Sequence, residues 1–479
     1  MNYRVIAFIL GRVLLILAAL MLLPLIAALV FAEPALPFVV TILLTALCGG
    51  ALLLVKPRSR EIYAREGFVC VGLSWLAMSL LGCVPFLISG DIPNFVDAFF
   101  ETISGFTTTG ASILGDVESL SRSGLFWRSF THWIGGMGVL VFLMAVMPMS
   151  GERSMHIMRA EVPGPTVGKL VPRARETARI LYIIYTALTV AETILLMLGG
   201  MSFYEALLHA FASAGTGGFS TRADSIAAFD SAYIEGVIGV FLILFGTNFN
   251  LFYLILIGRW RDALKSEELH WYWAILAVSI AAITVGIRPI YGGLRTAFRH
   301  AFFNVATISS TTGFGTEDFT KWPSFAQTMI VGLMFIGGSA GSTGGGLKVS
   351  RVILLFKNAA ADVKRMVHPR SVNRVQMDGQ RVSRETASAV YTFFTLFMMI
   401  LLGCTLVVSF DGYDFTTNFT AALSCISNIG PGLSLIGPKG NFTIFSDLSK
   451  IAMSFTMLCG RLEIYAILLL FAPSTWRSK

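Results

Sequence analysis

The sequence predicts an all-α integral membrane fold in which two N-terminal spans precede four copies of one unit: span, short re-entrant helix, glycine loop, span. Three observations predict it. The composition is too apolar for a soluble core, apolar runs of membrane-crossing length recur along nearly the whole chain, and one short glycine-centred string returns four times. Of 479 residues 55% are hydrophobic and 13% charged, with a mean hydropathy of +0.73; soluble domains run nearer one quarter charged.

The spans come first. Val13–Phe31, Pro37–Val55, Phe68–Ile88 and Leu125–Met147 each approach the roughly 20 residues that cross the hydrocarbon core. The first run is long, lacks a small-residue cleavage site and is followed at once by the second, so it is expected to remain as a span and not to act as a leader. The net charge of +8 is explained by topology: basic residues gather in Lys56–Arg65, Arg153–Arg179, Arg259–Lys265 and Lys357–Arg384 and at Arg477 and Lys479, which the positive-inside bias places in the cytoplasm together with both termini. No nucleic-acid motif accompanies them. Ser89–Gly124, Gly199–Tyr233, Arg288–Ser324 and Phe410–Lys450 then face outward, with Arg288, Arg295 and Arg299 running against the bias. Each outer stretch holds a semi-apolar piece too short to span, the mark of a re-entrant helix.

Those pieces are Phe95–Ser104, Tyr204–Ser213, Ala297–Ser309 and Phe415–Ser427. Each runs into a related string: Thr108-Thr109-Gly110-Ala111-Ser112, Thr216-Gly217-Gly218-Phe219-Ser220, Thr311-Thr312-Gly313-Phe314-Gly315 and Asn428-Ile429-Gly430-Pro431-Gly432. A second landmark follows each at a similar interval: Gly135-Gly136, Gly246-Thr247, Gly337-Gly338 and Gly460-Arg461. Internal repetition of this kind defines the architecture: an N-terminal pair over 1–66, then units over 67–150, 151–257, 258–357 and 358–479. The expected arrangement is four span, pore helix, filter loop, span repeats in pseudo-fourfold order around one pore. An ion entering a bilayer needs oxygen ligands in place of water, and carbonyls from converging loops supply them. Glycine lets such loops take backbone angles that aim carbonyls at one axis, and a helix C-terminus directed there favours a cation.

The third repeat's inner span is interrupted by Phe335-Ile336-Gly337-Gly338-Ser339-Ala340-Gly341-Ser342-Thr343-Gly344-Gly345-Gly346-Leu347-Lys348. At about 1 kcal/mol of lost helix stability per glycine, the helix should break there. A moving gate and a small-residue contact surface both fit such a string. Asn248 and Asn250 either line a cavity or bridge helices. The acidic residues Asp97, Glu101, Glu205, Asp414, Asp116, Glu118, Asp224, Glu317 and Asp318 either concentrate cations at the mouth or cap and solvate loops.

The six cysteines, Cys48, Cys70, Cys83, Cys404, Cys425 and Cys459, lack CxxC spacing and read as buried thiols. The histidines show no metal-ligand spacing, and neither a P-loop nor a nucleophile elbow occurs, so no enzyme and no chain-bound cofactor is expected. A voltage-gated channel would need a span with arginine at every third position, and none is present.

On its repeated glycine strings the chain resembles the Trk/Ktr/HKT superfamily of cation transporters, from about Phe68 to the C-terminus, and is most similar to its bacterial potassium-uptake subunits. The resemblance implies a potassium filter at Thr108, Thr109, Gly110, Thr216, Gly217, Gly218, Thr311, Thr312, Gly313, Asn428, Ile429 and Gly430. It implies a gate at Gly337, Gly338, Gly341, Gly344, Gly345, Gly346 and Lys348, with Arg461 just below the filter as a positive charge or, alternatively, as a structural partner of Glu463 or another buried acid. Glycine at all four filter centres favours K⁺ as the transported ion. It further implies multi-pass placement in the bacterial inner membrane, a homodimer with one pore per chain, and a cytosolic TrkA-like regulatory ring that binds NADH or ATP. Sodium permeability, or proton- or sodium-coupled symport, stays open.

Overall fold

The computed structural model describes residues 1–56, 64–138, 174–369 and 375–476. The basic stretch 153–173, Arg370, Arg374, Arg477, Lys479 and the end of the run expected over Leu125–Met147 lie outside the described residues. Six helical stretches among the described residues are long and apolar enough to cross a membrane, seven if a bent pair is counted as one. Their outward faces carry exposed Leu29, Leu47, Val278, Leu402 and Leu406, a surface suited to lipid and not to water.

The N-terminal pair consists of Tyr3–Leu20 with Leu22–Val30, and Leu36–Leu53 folded back on them. The first span therefore begins well before Val13, and it breaks at Met21 because Pro24 offers no N–H to the carbonyl four residues earlier. The two arms cross at touching backbones: a Cβ on Gly11 would lie 2.7 Å from the Gly49 oxygen, and one on Gly49 2.9 Å from the Gly11 oxygen. At the outer turn the Glu33 carboxylate accepts from the amides of Arg122 and Ser123 at 2.7 and 2.9 Å. A negative group there neutralises the free N–H groups and the dipole at a helix start, which fastens the pair to the first repeat.

Each repeat supplies an outer helix, a pore helix and an inner helix. The outer helices are Ala64–Gly82 continued by Val84–Ser89, Ala174–Leu198, Glu267–Tyr291 and Arg384–Val408. The pore helices, Phe95–Phe106, Phe203–Gly215, Leu294–Ser309 and Phe415–Ser427, fall within a few residues of their sequence-predicted bounds. Side chains of Asn94, Ser202 and Asp414 cap the outer ends of three of them, as short polar residues do where a helix starts in contact with water; the third starts at Gly293 with no side-chain cap.

The inner helices diverge. The first is Arg122–Met137; the second, Ala232–Phe245 and Phe249–Leu256, bends by 90°. The sequence reading has one span there, but Asn248 accepts the Asn250 amide at 2.9 Å and starts a new helix. The third is Ser324–Ile336, then an irregular segment, then Val349–Val367; the fourth, Asp447–Arg461, turns at Glu463 and Ile464 into Tyr465–Phe471. A hairpin of Gln376–Met377 with Gln380–Arg381 stands between Val349–Val367 and Arg384–Val408. Its Asp378 caps the Glu267 amide at 2.6 Å, and Lys357 bonds the Gln376 carbonyl at 2.8 Å. All six cysteines are free thiols, five of them buried.

Candidate functional site at the four-loop junction

All four pore helices end inside the protein in one backbone motif. Thr108, Thr216, Thr311 and Asn428 sit at φ 55, 55, 61 and 55°, and the glycines two places on, Gly110, Gly218, Gly313 and Gly430, at 76, 77, 87 and 98°. Between them the amides of Thr109, Gly217, Thr312 and Ile429 return to the carbonyls of Ser104, Ala212, Thr307 and Ser424 at 2.9, 2.8, 2.8 and 3.0 Å. This is a helix C-terminus closed by a left-handed residue, a place usually given to glycine. Threonine there, β-branched and left-handed, costs about 1–3 kcal/mol, so the surroundings must hold it. The sequence reading credits only the glycines with unusual backbone angles; the threonines and Asn428 share them.

The loops touch in closed order. A Cβ placed on Gly110 would lie 1.9 Å from the Gly217 oxygen, one on Gly218 2.1 Å from the Thr312 oxygen, and one on Gly313 1.9 Å from the Ile429 oxygen; one on Gly430 would lie 2.9 Å from the Thr109 oxygen. Each glycine thus faces a carbonyl of the next repeat, and the fourth returns to the first. All four line one open vestibule. The loops are not chemically equal: hydroxyls of Thr107 and Thr109 share a hydrogen bond at 2.8 Å and those of Ser310 and Thr312 at 2.7 Å, whereas the corresponding positions are Gly215 and Gly217 in the second loop and Ser427 and Ile429 in the fourth. Asn428 donates across the junction to Thr109 Oγ1 and to the Met457 carbonyl, both at 3.0 Å.

The landmark glycines of the inner helices serve close approach. Gly135 and Gly460 lie against the pore-helix ends of their own repeats, where a Cβ would come within 1.8 Å of the Phe106 oxygen and 2.1 Å of the Ile426 oxygen.

Gly337–Lys348 runs across the inner side of this junction. A Cβ on Gly344 would be 2.8 Å from the Ser310 oxygen and one on Gly345 2.3 Å from the Ser427 oxygen, while the Gly345 amide donates to Thr311 Oγ1 at 2.6 Å. The second repeat's bend holds the same segment: Ser339 N–H donates to the Gly246 carbonyl at 2.9 Å and Phe249 N–H to the Gly341 carbonyl at 3.0 Å. Asn248 therefore starts the bent helix and abuts the glycine segment at Gly341. Lys348, buried at φ 76°, turns its ammonium onto the Gly344 carbonyl. Arg461 reaches the segment from the fourth repeat, donating to the carbonyl of Thr343 at 2.6 Å and to those of Gly135 and Gly136 at 2.7 Å each. Its alternative partner, Glu463, pairs instead with Arg351.

The outer acidic residues are partnered. Asp97 meets Lys450 at 2.6 Å, Glu101 meets Arg128 at 2.6 Å, Glu205 meets Arg222 at 2.7 Å, Asp224 meets Lys439 at 3.3 Å and Asp318 meets Lys321 at 3.5 Å; Asp116 and Asp414 serve as local caps. Each such pair has little charge left to draw cations. Arg299, against the topological bias, is neutralised by Glu235 at 2.6 Å.

Two residues at the site carry no sequence motif. Glu268, 6% exposed, accepts from the Ala340 and Ser350 amides at 2.7 and 3.1 Å and so grips both ends of the glycine segment. His132 donates from Nδ1 to the Gly105 carbonyl at 2.8 Å and accepts the Phe219 amide at 3.3 Å. An ionisable group in a semi-apolar helix is the one signal that would have marked His132; Glu268, in the polar run Lys265–His270, carries none.

Spanning helices that converge on one junction of four matched loops define a multi-pass membrane protein. A family model described as TrkH, cation transport protein, matches residues 37–269 and 275–478, and the chain belongs to that family. Among similar proteins, the Trk system potassium uptake protein TrkH of Escherichia coli (strain K12) is 36% identical over 489 residues, covering 100% of both chains. The Trk system potassium uptake protein TrkG of the same strain is 33% identical over 96% of this chain and 95% of its own. The crystal structure of the potassium transporter TrkH from Vibrio parahaemolyticus superposes with a TM-score of 0.90 at 34% identity, covering both chains fully.

Proposed function

We propose that this protein takes up potassium across the bacterial inner membrane through the four-loop junction. The observation that carries the reading is the matched backbone of Thr108–Gly110, Thr216–Gly218, Thr311–Gly313 and Asn428–Gly430 in closed contact at the ends of four buried helices; the names of the relatives support the choice of ion. Carbonyls of these loops replace the ion's hydration shell, and four helix C-termini, each carrying about half a negative charge, make the junction favourable to a cation and hostile to an anion. The residues 67–150, 151–257, 258–357 and 358–479 each furnish one quarter of this filter, with 1–66 as an added pair.

Gly337–Lys348 is the gate in this reading, closed when it lies beneath the filter and held by Thr311, Glu268 and Arg461. Two chains pair, each with its own pore, and a cytosolic TrkA-like ring that binds NADH or ATP pulls on the gate through the helix Val349–Val367, which follows it directly. Both termini face the cytoplasm with the basic segments. The break in hydroxyl pattern at Asn428-Ile429 favours a second reading, a less selective monovalent cation pathway that admits Rb⁺, Cs⁺ and some Na⁺. Expression in a potassium-uptake-deficient bacterium at low potassium tests the first: growth is the expected result, and failure to rescue despite membrane insertion counts against it. Flux in proteoliposomes under separately imposed potential, proton and sodium gradients then separates channel-like passage from symport.

A further inference from the structure

The four repeats can be aligned on the landmark glycines of their inner helices, Gly135, Gly246, Gly337 and Gly460. Seven and three residues before them stand Gly239 and Ile243 in the second repeat, Ile330 and Met334 in the third, Met453 and Met457 in the fourth, but Arg128 and His132 in the first. Three repeats thus keep this face free of ionisable groups. The first places two there, four residues apart and hence on one side of the helix, 3% and 0% exposed. A buried guanidinium is expensive unless its partners are built in, so its partners define its use.

Those partners belong to two filter loops. Arg128 Nε donates to Glu101 Oε1 at 2.6 Å, and Glu101 in turn accepts the Ser112 hydroxyl at 3.0 Å and the Ile113 amide at 2.9 Å, which holds the strand leaving Gly110. Arg128 Nη1 donates to the Ser220 carbonyl at 3.1 Å, and the guanidinium lies 3.5 Å over the Phe219 ring, which holds the strand leaving Gly218. From the other side His132 packs on Phe219 at 4.1 Å and binds its amide, and a Cβ on Gly217 would strike the imidazole at 2.3 Å. Elsewhere the contacts from pore helix to post-filter strand are His209 with the Ser220 hydroxyl at 2.9 Å, Asn304 with Thr316 at 3.5 Å and Thr420 with the Leu433 amide at 2.9 Å, and the ion pair of Glu205 with Arg222 at 2.7 Å stays within the second repeat.

We propose that Arg128, fixed by Glu101 and assisted by His132, is a positioning residue that sets the spacing of the first and second filter loops and thereby the preference for K⁺ over Na⁺. The proposal rests on the potassium-uptake reading above. A filter that binds the larger ion must resist collapse onto the smaller one, and the loop pair bridged by a charge has the stiffest contact in the ring. Arg128 borders the vestibule, but its guanidinium is committed to Glu101, Ser220 and Phe219, so both side chains act through the backbone they hold.

The test uses full-length protein in proteoliposomes, with ⁸⁶Rb⁺ and ²²Na⁺ uptake measured in parallel. The double variant Glu101→Gln with Arg128→Met removes both charges together and leaves no unpaired one buried. Its Rb⁺-to-Na⁺ uptake ratio is expected to fall about tenfold, the loss of one charge-assisted bridge, while its elution profile and thermal midpoint stay near those of the parent. Glu205→Gln, at the exposed pair with Arg222, should keep the parental ratio. A folded double variant with the parental ratio would overturn the proposal. If it is not recovered folded, Arg128→Lys decides: lysine keeps the charge beside Glu101 but cannot also fork to Ser220 and stack on Phe219, so a lowered ratio supports the bridge and an unchanged one refutes it. Wild-type protein that passes neither ion would defeat the potassium reading and the clamp with it, whereas an unchanged ratio defeats the clamp alone.

Discussion

The four glycine loops and the four inner helices belong to the same repeated unit, yet they differ from one another in opposite senses. The loops hold one backbone through four different sequences, down to φ values of 55 to 61° at their first residue. The inner helices share their glycine landmark and little else: one is uninterrupted as far as Met137, one bends by 90°, one is broken by the glycine segment and one turns at Glu463. A site that surrounds one ion needs equal geometry from every side. On the proposed function, control of passage needs only one element that can move, and the other three brace it.

The largest test of that contrast falls on the loops. Gly313→Ser and Gly110→Ser would each put a Cβ where the next repeat's carbonyl stands, at 1.9 Å, and strain a left-handed backbone as well. Overlap and strain together amount to about 3 kcal/mol, so the Rb⁺-to-Na⁺ uptake ratio should fall about a hundredfold. Parental ratios in folded variants would remove these glycines from the ion's surroundings.

Deleting Gly344–Gly346 acts on the diverged region. It removes the Gly345 bond to Thr311 and the Lys348 contact with Gly344, worth about 1 kcal/mol each at most. Basal flux should rise roughly tenfold, with unchanged ion ratio and a blunted response to nucleotide in the presence of the ring. Flux and nucleotide response both at parental levels would show that the segment is not the gate.

Glu268→Gln is milder, because the amide oxygen still accepts from Ala340 and Ser350 but without the charge. A loss of about 1 kcal/mol should raise the open fraction roughly fivefold, seen as higher single-channel or vesicle flux at constant selectivity. If selectivity shifted as well, the separation of filter from gate argued here would fail.

The smallest effect concerns the cap that three pore helices have and the third lacks. The Thr417 hydroxyl and amide hold the Asp414 carboxyl below the usual carboxylate range. A depressed value means that the cap stabilises the folded state above the ordinary carboxylate pKa near ~3.9 and loses that contribution as pH falls through the folded value. Asp414→Ala should cost about 1 kcal/mol at neutral pH, read as a lower thermal midpoint in detergent, and the difference between variant and parent should shrink in acid.

Membrane placement, the four pore helices and the four glycine strings were legible in the sequence because each rests on local signals: run length, cap residues and a repeated string. Thr108 and Asn428 as left-handed residues were not legible, since nothing in their own neighbourhood asks for that geometry; the tightly held helix ends impose it. The bend at Gly246–Asn248 was not legible either, because Gly246-Thr247 reads as one more landmark of a repeated span. Tertiary structure alone decided who answers each charge. Glu101 finds Arg128 at 2.6 Å, Glu463 finds Arg351 and not its neighbour Arg461, and Arg461 spends its donors on carbonyls of two other repeats. Pairing between residues far apart in the chain depends on which helices the fold brings side by side, and in a low-dielectric interior an unmatched charge costs too much to be left to local sequence.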